Sequence, residues 1–216
     1  MKIAILDLDG TLIDSSYRHV KLLVDVINKL GKNVTEEDVK DYLSYKADGY
    51  STLDYLTEVM GLEHSQAEEI ALEWSGNIEN IQYMSTDKYY DDAYTFVKGL
   101  KDAGYDIYAL TARQNKDYIT GFVNGSKLRD YITYVFVVDP FKAKEEKLDV
   151  IKGHFPDSEN QLVMVGDTGV DYETGVKAGA KTFILNRGFR SKAYWDNKGI
   201  KSYDNLGQVM EAIREL

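Results

Sequence analysis

The chain has 216 residues, of which 44% are hydrophobic, and this is enough to bury the core of a globular protein. Its formal net charge of -10 argues against nucleic acid or an anionic membrane surface as a partner. The absence of cysteine excludes disulfides, thiolate metal ligands and cysteine nucleophiles. Because no apolar run reaches the length of a membrane span and the chain begins with a strand pattern, we expect a soluble, cytoplasmic protein.

The first apolar run of the chain ends in two acids. Residues 2–6 read Lys-Ile-Ala-Ile-Leu, which is too short for a helix and typical of a strand buried on both faces. Asp7 and Asp9 follow, and alternation points both carboxylates the same way, with Leu8 opposite. Gly10 permits a sharp turn and lets backbone N–H groups face an anion. Like charges about 4 Å apart repel by roughly 4 kcal/mol at an effective dielectric of about 20, so the pair favours a bound cation or a retained proton.

Two other interpretations of this acidic stretch deserve comparison. A pair of solvated acids at a strand end stays possible on these residues alone. A calcium loop of the EF-hand type is excluded, because counting from Asp7 puts Leu12 where Gly is required and Arg18 where the bidentate Glu belongs.

The segment from about 15 to 84 has helical periodicity and no convincing strand. Helical patterns cover 15–30, 51–60 and 65–74, and a capping pattern at Thr35 marks the start of a further helix. We therefore expect a helical domain at 15–84, inserted into a core domain made of 1–14 and 85–216.

Strands alternate with helices in the rest of the chain, a pattern typical of right-handed crossovers and a parallel sheet. The predicted strands are 106–110, 134–138, 161–165 and 181–185, and the predicted helices are 91–101, 115–123, 144–154, 171–178 and 205–215. The expected fold class is α/β, with a three-layer, Rossmann-like parallel-sheet core and an inserted all-helical domain.

Polar side chains follow the predicted strands of this core. The carboxyl ends of parallel strands share one edge of a sheet, so we expect these side chains to meet there. Carboxylates can hold Mg²⁺, a lysine can neutralise phosphate oxygens, and an aspartate can attack phosphorus. The residues concerned are Asp7, Asp9, Thr111, Lys144, Asp167 and Asp171.

These motifs, in this order, resemble the four motifs of the haloacid dehalogenase superfamily. The matching residues are Asp7-Leu-Asp-Gly-Thr11, Thr111, Lys144 and Gly166-Asp-Thr-Gly-Val-Asp171. The helical insertion directly after the first motif is similar to the small cap of that superfamily. The resemblance covers the whole chain in architecture, although the cap carries no motif of its own.

The resemblance implies a role for each motif acid. Asp7 would be the nucleophile and a ligand of Mg²⁺. Asp9 would protonate the leaving oxygen and then activate water, and its backbone carbonyl would also ligate the metal. Asp167 would be a metal ligand, whereas Asp171 would ligate the metal or orient its bound water.

The resemblance implies that Thr111 hydrogen-bonds a phosphoryl oxygen and that a lysine neutralises the nucleophile and the phosphate. The family often has Lys-Pro at the lysine motif, but this chain reads Phe-Lys-Ala-Lys-Glu-Glu-Lys over 141–147. We choose Lys144, because the apolar residues that follow at helical spacing leave it at the start of a helix. Lys142 and Lys147 stay as alternatives.

Further candidates would contact the substrate. A loop of the insertion, 46–50, offers a cation and a flexible glycine, and Arg113 and Arg187 each follow a strand. A solvated surface position is an equal alternative for both arginines, and His19 is expected to be a surface residue. The predicted substrate contacts are Gly10, Thr11, Lys46, Ala112 and Arg113.

An acid at position 9 separates the reaction classes within the resemblance, because a halide leaving group needs no proton. The implied function is a Mg²⁺-dependent phosphatase that acts on a small phosphorylated metabolite through an aspartyl-phosphate. A sugar-phosphate phosphomutase on the same core is one alternative, and a non-catalytic phosphate-binding regulatory module is another. The physiological substrate and the oligomeric state are not predicted.

Overall fold

The computed structural model describes residues 2–156 and 162–216. Its strands are β1 (Lys2–Leu6), β2 (Ile13–Asp14), β3 (Lys88–Tyr89), β4 (Tyr105–Ala112), β5 (Ile132–Val138), β6 (Leu162–Gly166), β7 (Lys181–Leu185) and β8 (Ser202–Tyr203). Its helices are α1 (Ser16–Lys29), α2 (Tyr42–Ala47), α3 (Thr52–Asp54), α4 (His64–Asn77), α5 (Ile81–Met84), α6 (Ala93–Asp102), α7 (Lys116–Asn124), α8 (Ala143–His154), α9 (Gly169–Lys177), α10 (Lys192–Asn197) and α11 (Leu206–Arg214).

Six strands form a parallel sheet in the order β5-β4-β1-β6-β7-β8. From β1 the chain moves outward through β4 to β5, and it then returns to the other side of β1 with β6, β7 and β8. Ligands of open parallel sheets bind at the carboxyl ends of the strands where the order reverses, which here is between β1 and β6. The topology therefore positions a site at the ends of these two strands.

Alternation along β1 separates two cores, one on each face of the sheet. Ala4 and Leu6 pack in the core that includes buried side chains of α6, α7 and α11. Ile3 and Ile5 pack in the core that includes Ile151 of α8. The three layers and the parallel sheet agree with the α/β fold expected from the sequence.

The elements from α1 to α5 are all helical and have a hydrophobic core of their own, whose buried members lie between Leu22 and Tyr83. Strands β2 and β3 pair antiparallel, with Ile13 opposite Tyr89 and Asp14 opposite Lys88. The two stretches of chain that connect the helical segment to the core therefore lie side by side.

The predicted elements and the observed ones differ mostly within the helical segment. The Asp38 carboxylate accepts hydrogen bonds from the Thr35 amide and hydroxyl, as a capping pattern requires, but only a 3₁₀ turn (Glu37–Val39) follows. The helix predicted over 51–60 begins with a capping box at Ser51 and continues beyond α3 as a π-helical turn (Tyr55–Val59). Residue 161, the first residue of the strand predicted over 161–165, lies outside the described residues.

Several short elements, including β2, β3, β8, α5 and α10, were not predicted, because two to six residues are too few to show a period. Within 2–156 and 162–216, no helix is both long enough and apolar enough to cross a bilayer.

Ile5, at the centre of β1, offers a test of this packing, because its side chain is fully buried. We expect Ile5→Ala to lower the free energy of unfolding by about 2–5 kcal/mol, since it removes apolar contacts and leaves a cavity. Leu72→Ala is the matched control, because Leu72 is 72% exposed, and it should change stability by less than about 0.5 kcal/mol. Urea titrations followed by circular dichroism measure both, and equal losses would contradict the assignment of the core.

Candidate active site

Three buried aspartates meet at the carboxyl ends of β1 and β6. Leu6 is paired with Val165, and the Asp7 amide donates to the Val165 carbonyl at 2.9 Å, so the strands end together. Asp7 and Asp167 therefore emerge side by side. Asp171 follows in the first turn of α9, and one carboxylate oxygen from each of the three lies within 4.8 Å of the others.

Asp171 is held in place by a capping box at the start of α9. The Thr168 amide and hydroxyl donate to its Oδ2 at 3.0 and 2.6 Å. Its other oxygen, Oδ1, accepts from Lys147 Nζ at 2.7 Å, and the same ammonium donates to Asp7 Oδ1 at 2.8 Å. Lys147 thus bridges Asp7, the candidate nucleophile that follows β1, and Asp171 of α9.

The prediction that Lys144 is the active-site lysine is wrong, because Lys147 is the lysine that contacts Asp7 and Asp171. Lys144 is exposed and pairs with Glu173 at 2.6 Å, although it is one of the residues that line the cavity next to these acids. The reason is the helical repeat of α8, whose buried residues are Ala143, Lys147 and Ile151, four apart on one face. That spacing was a signal in the sequence that favours Lys147.

Burial dominates the electrostatics of the acidic cluster. It raises the pKa of Asp7 to about 7 against the pull of Lys147, and it raises the pKa of Asp167 well above its usual value, with the charges of Asp7 and Asp171 acting in the same direction. Burial alone would lower the pKa of Lys147, but Asp171 and Asp7 outweigh it and raise that pKa. Lys147 therefore compensates Asp7 and Asp171, and Asp167 has no basic partner in the described residues.

Asp167 leaves one oxygen available for a cation. Its Oδ2 accepts from the Phe189 amide at 2.7 Å, whereas its Oδ1 is buried and has no hydrogen-bond partner in the described part of the chain. Because carboxylate oxygens are the preferred ligands of hard divalent ions, this orphaned atom and the surplus negative charge fit a bound Mg²⁺.

Asp9 lies beside the cluster and is held by two arginines. Arg113 donates from Nε and Nη2 to its two oxygens at 2.7 and 2.6 Å, and Arg18 donates from Nη2 at 3.0 Å. Asp87 accepts from both guanidinium groups at 3.0 and 3.1 Å. Burial raises the pKa of Asp9, but Arg113 and Arg18 outweigh it, so that the pKa lies below its usual value.

This network changes the interpretation of Arg113. The sequence offered a substrate contact or a solvated position, but Arg113 is 3% exposed and holds Asp9 through a bidentate pair. Arg18 and Asp87 were not predicted, because they come from α1 and from the segment before β3, and no sequence pattern connects them to Asp9.

A cavity of about 510 Å³, which we call the inner cavity, opens at the acids. Its lining includes Asp7, Asp9, Thr111, Ala112, Lys147 and Arg190. Gly10 has φ +71°, and a Cβ there would lie 2.2 Å from Asp167 Oδ2; at Gly188 the same distance would be 2.1 Å. Both glycines are therefore needed for the backbone to approach the acids, and Gly188 was not predicted.

Thr11 and Arg187 have structural partners. Thr11 is buried, and its carbonyl accepts from Arg187 Nη2 at 2.9 Å. Arg187 also pairs with Asp92 at 2.7 Å and lies over the Tyr90 ring, 3.9 Å from its centroid. Arg187 is thus neither a simple solvated residue nor a lining residue of the inner cavity.

A second cavity of about 650 Å³, the outer cavity, lies between the helical segment and the sheet edge. Asp9 lines it together with Lys46 of the 46–50 loop. His19 also lines it and is 8% exposed, so the expected surface position is wrong. Its ring packs between Trp74 and Phe189, at centroid distances of 5.2 and 4.7 Å.

Two of the lysines of α8, Lys147 and Lys144, provide a matched pair of substitutions. We expect Lys147→Met to lower the free energy of unfolding at neutral pH, without added metal, by about 3–5 kcal/mol, because it leaves buried carboxylates without their counter-charge. Lys144→Met should change stability little, because Lys144 and Glu173 form a solvent-exposed pair. Chemical denaturation of both variants tests this, and equal effects would refute the position of Lys147.

Comparison with known proteins identifies the family of the chain. The family model for haloacid dehalogenase-like hydrolases matches residues 4–185. Pyrophosphatase PpaX of Bacillus cereus is 24% identical over 192 residues, which cover 87% of this chain and 84% of PpaX. A predicted phosphatase from Clostridium acetobutylicum superposes with a TM-score of 0.68, at 20% identity and full coverage of both chains. A hydrolase of the same family from Deinococcus radiodurans, with bound phosphate and sodium, has a TM-score of 0.68 at 14% identity, with 100% of this chain and 96% of that one covered. The chain therefore belongs to the haloacid dehalogenase-like hydrolase family.

Proposed function

We propose that the protein is a Mg²⁺-dependent phosphatase that hydrolyses a small phosphorylated metabolite through an aspartyl-phosphate on Asp7. The observation that carries this proposal is the shared lysine: Lys147 contacts Asp7 and Asp171 within a cluster that also contains Asp167. Membership of the hydrolase family supports hydrolysis, and the phosphate bound to the Deinococcus radiodurans relative supports a phosphorylated substrate.

The cysteine-free composition is compatible with the reducing cytoplasm, where we propose that the protein acts.

Asp7 and Asp167 would hold the metal, together with the backbone carbonyl of Asp9. Both oxygens of Asp171 already accept hydrogen bonds, so its proposed role is to orient Lys147 and the metal-bound water. When bound, Mg²⁺ neutralises phosphoryl oxygens and the acids around them.

In the proposed reaction an oxygen of Asp7 attacks phosphorus while the bond from phosphorus to the leaving oxygen breaks. Arg113 and Arg18 keep Asp9 ionised in the free protein, so Asp9 would take up a proton from solvent when the substrate binds. It would then pass this proton to the leaving oxygen, and the leaving group departs as an alcohol. Asp9 then takes a proton from water, whose oxygen attacks the phosphorus of phospho-Asp7 and releases inorganic phosphate. Lys147 keeps Asp7 oriented, and Arg113 keeps Asp9 beside it.

We further propose that residues 15–84 act as a cap over the inner cavity. Contacts at two places support this. The Glu79 carboxylate accepts from the Gln114 and Asn115 amides at 2.9 and 2.7 Å, and the Ser191 hydroxyl donates to Asp48 at 2.6 Å. Such a cap would exclude bulk water from the first step.

Substitution of the nucleophile tests the reaction. We expect Asp7→Asn to abolish release of inorganic phosphate from p-nitrophenyl phosphate in the presence of Mg²⁺, because an amide cannot form the aspartyl-phosphate. Asp149→Asn, which changes an exposed acid of α8, is the control and should keep wild-type turnover. Near-wild-type activity of Asp7→Asn would refute the assignment, and an isomer in place of inorganic phosphate from sugar phosphates would indicate a phosphomutase.

The metal site has a test that does not depend on turnover. We expect Mg²⁺ to raise the unfolding temperature of the wild-type protein, because it binds the folded state and relieves repulsion among buried acids. Asp167→Asn should remove this increase without lowering the stability of the metal-free protein, since burial already disfavours the charged form of this carboxyl group when no metal is bound. Scanning calorimetry with Mg²⁺ or with EDTA measures both effects. An equal response of wild type and variant would exclude Asp167 as a ligand.

A further inference from the structure

The outer cavity contains two cations that have no acidic partner. Lys46 Nζ donates to Thr52 Oγ1 at 3.4 Å, and Arg190 Nη1 donates to the carbonyls of Lys46 and Phe189 at 3.3 and 2.5 Å. Neither side chain lies within 4.0 Å of a carboxylate in residues 2–156 and 162–216. Arg190 Nε is buried and, in the same ranges, has no hydrogen-bond partner.

The other charged groups of this cavity are already satisfied. Asp9 is paired with Arg18 and Arg113, and Glu79 accepts two backbone amides. The lining therefore has two more basic than acidic side chains, although the whole chain carries a formal charge of -10. A surplus of positive charge in a cavity of an acidic protein favours an anionic ligand.

The surroundings of Lys46 make its unpaired charge costly. Its Nζ lies 4.3 Å from the Trp74 ring centroid and 5.4 Å from that of Tyr42. Burial and the nearby charge of Arg190 lower the pKa of Lys46 to about 8. The ring faces compensate only part of the lost hydration of an ammonium group, and an anion would compensate it more fully.

Lys46 is separated from the groups that would hold the transferred phosphoryl group, and Arg190 lies where the two cavities meet. Arg190 lines both cavities, whereas Lys46 lines the outer one, beyond Asp9. The Ser191 amide donates to the Ala47 carbonyl at 2.8 Å and the Lys46 carbonyl accepts from Arg190, so the two cations are fixed next to each other. They therefore face the part of a substrate that lies beyond the reacting phosphorus.

Given the phosphatase activity proposed above, we propose that Lys46 and Arg190 bind a second anionic group, carried by the leaving group of the substrate. The substrate class is a short phosphate ester whose alcohol bears a carboxylate or a further phosphate. Trp74 and Phe189 form an apolar wall beside this subsite and would contact the carbon atoms between the two anions.

Three esters that differ in one group test this subsite with the full-length protein and Mg²⁺. Phosphoglycolate carries a carboxylate, glycol bisphosphate a second phosphate, and glycol monophosphate an uncharged hydroxyl. We expect at least one of the charged esters to exceed the uncharged one in kcat/KM by about 30-fold, as for a partly desolvated ion pair. Whichever charged ester is preferred identifies the second anion.

Lys46→Met should remove this preference, mainly by raising KM for the charged ester. Arg190→Met should weaken it as well, and Lys46→Arg should keep most of it because the charge remains. Lys40→Met is the control, since Lys40 is an exposed lysine of the same helical segment that pairs with Glu37. Equal use of all three esters by the wild type, or an unchanged preference in Lys46→Met, would overturn the subsite.

A binding measurement separates this proposal from the proposed reaction. Phosphonopropionate and hydroxypropylphosphonate resemble the charged and uncharged esters but have no bond that can be hydrolysed. In calorimetry we expect the wild type to bind the former more tightly, and Lys46→Met to bind the two equally. If no ester is turned over, binding that depends on Lys46 still supports the anion subsite while the phosphatase proposal fails. Equal binding by wild type and Lys46→Met overturns the subsite.

Discussion

The mutual repulsion of three buried carboxylates is the constraint on which this structure depends. Asp7, Asp167 and Asp171 converge within 4.8 Å, and Lys147 is the ammonium that bridges two of them. In water such acids would stay apart, but adjacent parallel strands and a capped helix hold them together here. The cost of bringing them together is met by packing in the two cores of the sheet, and a divalent cation would remove most of what is left.

A second network compensates its charges internally. Asp9 and Asp87 face Arg18 and Arg113, two acids against two bases, with every pair at 3.1 Å or less. Arg18 belongs to α1, which is part of the helical segment, whereas Arg113 follows β4 of the central sheet. A displacement of α1 would therefore break one contact of Asp9 and leave the bidentate pair with Arg113 in place.

The two cavities differ in the charges of the side chains that line them. The inner cavity lies at acids that require a cation. Lys46, which lines the outer cavity, and Arg190, which lines both, have no acidic partner in the described residues and require an anion. Asp9 lies at the boundary and lines both. A phosphate ester with a second anion would direct its phosphoryl group to the Mg²⁺ held by the inner acids and its second anion to Lys46 and Arg190, and these two positive centres would orient it.

The sequence by itself determined the class of fold, the order of the core strands along the chain and the identity of the acids. Periodicity and strand-end positions are local properties, so an apolar run followed by Asp7 or Asp167 could be interpreted without coordinates. The alternatives left open at Arg113 and at the lysine motif concern long-range partners. Only the tertiary structure decided that Arg113 holds Asp9, that His19 is buried, and that Arg18 and Asp87 belong to the site. The reason is that most of these contacts join residues far apart in the sequence, such as Asp9 with Arg113 or His19 with Phe189. Lys147 is the intermediate case. The repeat of α8 distinguished it from Lys144, but only the packing of that helix on the sheet shows which face of α8 turns toward Asp7.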